Sequence, residues 1–80
     1  MTITVLLFAS YADAIGTAEL DLDLPAGSTV GDALHLVSRM PGAARVPANP
    51  LMAVNERYAR ADQPLAAGDE LAIIPPVAGG

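Results

Sequence analysis

The residues of this chain that could do chemistry lie at its end, in the run Ile74-Pro75-Pro76-Val77-Ala78-Gly79-Gly80. Pro75 and Pro76 each hold φ at about −65° and favour an extended exit. Gly79 and Gly80 then leave the end of the strand thin and backbone-only. A carboxylate carried on such a thread can enter a narrow site on another protein. A side chain at either of the last two positions would widen the part that has to pass. The run follows an apolar strand with no polar linker between them, which points to a working tail rather than a frayed end.

Other chemistries find little support. The chain has no cysteine, so it offers no disulfide, thiolate metal site, cysteine nucleophile or persulfide. Its single histidine rules out a multi-histidine metal site, and no metal is expected. There is no phosphate loop and no acid–base pair, so free-standing catalysis is not expected. Nine acids against four arginines give a formal charge of −5. That speaks against nucleic acid and anionic membranes as partners and suits a partner with a basic surface. The chain also lacks lysine, so it cannot accept an isopeptide bond on a side chain. No stretch approaches the roughly 20 apolar residues of a membrane span. The first residues lack the basic region and cleavage site of a secretion signal. A cytoplasmic protein is expected.

The rest of the sequence must position the tail. Thr2 to Phe8 alternates as a strand, with Ile3, Val5 and Leu7 on one face and Thr4, Leu6 and Phe8 on the other. Ser10 to Ile15 reads as a short helical turn ended by Gly16. Leu20, Leu22 and Leu24 alternate with Glu19, Asp21 and Asp23 in a second strand. Those acids read as a solvated face that discourages edge pairing rather than as a cation site. Thr29 caps a helix whose apolar side is Val30, Ala33, Leu34, Val37 and Met40, and Pro41-Gly42 stops it. Gly31, Asp32 and His35 fall on its other side, which places His35 in solvent without a catalytic task.

Gly42 to Pro50 reads as a loop. Leu51 to Asn55 is a strand, Asn55-Glu56 a tight turn, Arg57 to Ala59 a short return strand, and Glu70 to Ile74 the last strand. Eighty residues in this order make a single α+β domain, residues 1–80, with a flexible tail at 75–80. One main helix must cover one face of a mixed sheet, with the first and last strands as parallel neighbours. Leu6, Phe8, Tyr58 and Ile74 then meet on the uncovered face, as a binding patch.

The element order and Gly-Gly ending resemble the ubiquitin-like β-grasp fold. Asp62-Gln63-Pro64-Leu65-Ala66-Ala67-Gly68-Asp69-Glu70, with the ending Pro75-Pro76-Val77-Ala78-Gly79-Gly80, is similar to the small subunits of molybdopterin synthase. The turn Ala53-Val54-Asn55 and the opening strand ending Leu7-Phe8-Ala9 fit as well.

The resemblance implies a sulfur carrier with no permanently bound cofactor. An ATP-dependent activating enzyme adenylates the carboxylate of Gly80, sulfur replaces AMP, and a thiocarboxylate results. The tail then enters the large synthase subunit, which holds the catalytic residues, and gives sulfur to cyclic pyranopterin monophosphate. Phe8, Tyr58 and Ile74 match the family's docking patch. Elementary chemistry agrees. A carboxylate is a poor electrophile, adenylation gives it a leaving group, and the incoming nucleophile needs an unhindered carbonyl. The sequence departs from the family in the helix after the first strand, often basic but here Tyr11-Ala12-Asp13-Ala14, which removes the basis for a salt bridge from it. Carriers serving thiamin, tRNA or cysteine synthesis share the Gly-Gly end, as do ubiquitin-like protein modifiers. The double proline before Val77 favours the molybdopterin branch.

Overall fold

A computed structural model describes residues 1–76 of the chain. The expected flexibility of the tail and the positions of Val77, Ala78, Gly79 and Gly80 therefore lie outside the described residues. The elements are β1 (Thr2–Leu7), α1 (Ala9–Ile15), β2 (Glu19–Asp23), α2 (Val30–Ser38), a 3-10 turn (Ala43–Arg45), β3 (Leu51–Val54), β4 (Arg57–Tyr58) and β5 (Glu70–Ile74). The strands form one mixed sheet in the order β2-β1-β5-β3-β4.

The alternation in β1 sets which face is buried. Ile3, Val5 and Leu7 are almost wholly removed from solvent, and so are Leu71 and Ile73 of β5. Parallel pairing places Val5 opposite Leu71 and Leu7 opposite Ile73, as expected for the first and last strands. Met52 and Val54 of β3 extend this layer, and Val30, Ala33 and Val37 of α2 close over it. Burying each large aliphatic side chain stabilises the fold by about 1.5–3 kcal/mol.

α2 starts where the sequence says it should. The Thr29 hydroxyl accepts a hydrogen bond from Asp32 N–H at 3.3 Å, and the Asp32 carboxylate accepts one from Thr29 N–H at 2.9 Å. This reciprocal pair satisfies two backbone donors that the helix leaves open.

Three local readings need correction. α1 is a seven-residue helix that buries Tyr11, more than a single turn. The segment after Pro41 is not all loop, because residues 43–45 wind into the 3-10 turn. Gly42 precedes that turn at φ +87, and a Cβ there would collide with the Ala14 carbonyl of α1. Only glycine meets both demands. Gly31 does not face open solvent either. Its N–H donates to the Ala61 carbonyl at 2.8 Å, so the 59–63 segment lies against the start of α2.

Candidate functional site

The sheet face away from α2 divides into two parts. On β1, Thr2, Thr4 and Leu6 point to this side, opposite Asp23, Asp21 and Glu19 of β2. The Thr2 hydroxyl donates to Asp23 Oδ1 at 2.6 Å and the Thr4 hydroxyl to Asp21 Oδ1 at 3.4 Å. This half is polar and acidic. Among the described residues, no three acid, histidine or cysteine side chains converge to hold a metal ion.

The other half is apolar. Register places Leu6 opposite Ala72, Ala72 opposite Ala53, and Ala53 opposite Tyr58. Together with Phe8 and Ile74 they line a shallow depression of about 300 Å3, with Glu56 and Glu70 at its rim. Leu6, Phe8, Tyr58 and Ile74, drawn from three separate stretches of sequence, are thus brought together on one surface. Phe8 is 45% exposed and Tyr58 77%, large apolar groups that no element covers among the described residues. Leu51, opposite Ile74 and 49% exposed, extends the patch and was missed in the sequence. Its alternation with Ala53 was the available signal. β5 ends at Ile74, so Pro75 and Pro76 leave the sheet from the edge of this patch. His35, by contrast, is exposed on α2, across the sheet from it.

The patch is held at its lower margin by a polar knot. Asn55 and Glu56 both have positive φ, +49 and +72, as a type I′ hairpin turn requires. Asparagine tolerates this conformation better than most residues. The Asn55 backbone N–H donates to the Glu70 carbonyl at 2.9 Å. Its side-chain oxygen accepts from Glu70 N–H at 3.0 Å, and its side-chain NH2 donates to Asp69 Oδ1 at 3.0 Å. Asp69 Oδ2 accepts from Ala66 N–H at 2.8 Å. The Ala66 bond, and then the Asn55 bond, hold the Asp69 carboxyl below its ordinary value. The sequence marks Asn55 as a turn residue, but nothing local to it signals the contact with Asp69.

With this geometry in hand, likeness to known proteins becomes informative. The profile of the ThiS family matches residues 5–80, a span that includes the patch, the knot and the Gly79-Gly80 ending. The chain belongs to the ThiS family. Among its relatives is the molybdopterin synthase sulfur carrier subunit of Arabidopsis thaliana, 40% identical over 79 residues, covering 98% of this chain and 82% of that one. Among solved structures, SAMP1 of Haloferax volcanii, a small archaeal modifier protein, superposes with a TM-score of 0.89 at 35% identity and covers all of both chains. The putative molybdopterin converting factor subunit 1 of Pyrococcus furiosus gives 0.84 at 27% identity, covering 96% of this chain and 99% of that one. The ThiS-family chain thus has the ubiquitin-like β-grasp fold that its element order suggested.

Proposed function

We propose that this protein is the sulfur-carrier subunit of a molybdopterin synthase. Its support is full-length similarity to proteins of that name, together with an apolar patch at the root of a Gly-Gly tail. In this reading the patch docks the chain on the large subunit and the tail enters the active site there. No residue of this chain performs acid–base chemistry. An adenylating enzyme transfers AMP from ATP to the Gly80 carboxylate and releases pyrophosphate. A sulfur nucleophile then displaces AMP and leaves a thiocarboxylate. The sulfur of that group bonds to cyclic pyranopterin monophosphate, water then cleaves the acyl carbon–sulfur bond, and the terminus returns as a carboxylate.

The test is intact mass spectrometry after incubation with an adenylating enzyme, ATP and a sulfur donor. The expected change is a gain of about 16 Da, sulfur for oxygen, giving an acid whose ionised sulfur is the nucleophilic form. The loaded chain should then convert the precursor to molybdopterin when mixed with the large subunit. Loading without conversion would point to another sulfur acceptor.

The likeness to a small archaeal modifier protein favours a second reading, in which the same activated terminus acylates lysines of other proteins. Lysine-linked conjugates carrying the Gly80 carbonyl would establish it. The chain itself has no lysine to serve as the acceptor.

A further inference from the structure

Tyr58 is the most exposed member of the patch, yet little of the fold holds it. It lies on β4, an edge strand of two residues that, among the described residues, pairs only with β3. Strands this short are marginal without added support. The hairpin does have a brace. The last β3–β5 pair is Val54 with Leu71, and the next position is Asn55 beside Glu70. The turn takes Asn55 into the left-handed region, and the Glu70 N–H bonds its side-chain oxygen instead of its backbone carbonyl. The side chain thereby prolongs the ladder by one rung past the point where the backbone turns away. Its amide group is in turn held by Asp69, whose backbone carbonyl accepts from Thr4 N–H at 2.9 Å. A chain of bonds thus runs from β1, through the start of β5, to the turn three residues before Tyr58.

We propose that Asn55 and Asp69 are positioning residues for docking, which fix the β3–β4 hairpin so that Tyr58 is presented on the open face before a partner arrives. This rests on the docking role of the patch given above. A preorganised aromatic anchor binds more tightly because its ordering has been completed in the free protein. These hydrogen bonds are exposed, so each contributes modestly to folding. Their effect should appear in binding more than in stability.

A double-mutant cycle on binding to the large synthase subunit tests this. Asn55→Gly keeps the left-handed turn and removes the brace. Tyr58→Ala should weaken binding about 30-fold, as loss of an aromatic anchor does. Asn55→Gly should weaken it about tenfold in the parent chain and leave it unchanged in the Tyr58→Ala background. A reciprocal pair supplies a second reading, which stands even if Asn55→Gly fails to fold. Asn55→Asp sets two carboxylates against each other and should weaken binding. Adding Asp69→Asn restores one amide facing one carboxylate and should recover it. Normal binding by Asn55→Gly, equal losses in both backgrounds, or no recovery in the pair would overturn the proposal while the patch reading stands. Normal binding by Tyr58→Ala would overturn the patch reading, and the positioning role with it.

Discussion

The two faces of one sheet contrast sharply in this protein. Toward α2, Val5, Leu71 and Ile73 have no measurable exposure, and their packing stabilises the fold. On the far side, Phe8, Leu51 and Tyr58 are large, apolar and exposed, and α2 lies on the opposite face. The strands are the same, so successive residues along β1 and β5 alternate between the packed face and the open one. In a domain this small, an uncovered apolar face leaves burial unused. The covered face must therefore supply nearly all of the stability.

The largest effect should come from the tail, which serves neither face. Deleting Gly80, or adding one residue after it, should abolish sulfur transfer and spare both binding and folding. The reacting carbon would shift by about 3.5 Å, one extended residue, where chemistry tolerates far less. Reconstituted molybdopterin formation, measured beside complex formation, checks this. Full activity from an extended chain that stays extended would refute the carrier mechanism.

On the covered face, Leu71→Ala should cost about 2–5 kcal/mol of stability, read by chemical denaturation. On the open face, Ile74→Asp should leave the denaturation midpoint nearly unchanged. Its binding to the large subunit should weaken by about 2 kcal/mol or more. If Ile74→Asp unfolds the protein, the division between the faces is wrong.

Much of this division is written in local sequence. The period of two in Ile3, Val5 and Leu7 marks the buried face, and Thr29 with Asp32 marks the start of α2, because both signals span a few residues. The patch was legible once the strands were given neighbours, since Phe8, Tyr58 and Ile74 follow from alternation plus strand order. The features that escaped depend on distant partners. Gly42 is fixed by Ala14 and Gly31 by Ala61, and neither partner lies within a helical turn or hairpin of its glycine. Asn55 and Asp69 are separated by fourteen residues, and only the β3–β5 register brings them together.

The smallest expected effect is a pH dependence at that contact. Because the Asp69 carboxyl titrates below its ordinary value when folded, its contribution is present above the ordinary carboxylate range. It should fade as pH falls through the depressed folded value. Denaturation curves of the parent chain and Asp69→Asn should therefore differ near neutrality and converge in acid. A gap that stays constant with pH would show that the carboxylate's charge adds nothing to the brace.

The central place of β5 has a mechanical consequence. A tail drawn into a partner's site pulls on Ile74 along the strand axis. β5 is paired over four residues to β1 on one side and over four to β3 on the other. The bonds to β3 lie across the line of pull and those to β1 slant across it, so tension loads both rows mainly in shear rather than opening them one by one as it would peel an edge strand. Rupture under force follows the unfolding rate, and a shear-loaded central strand makes that rate small. If the tail serves two partners in turn, as the carrier reading requires, it could be tugged from one to the next while the domain behind it stays folded.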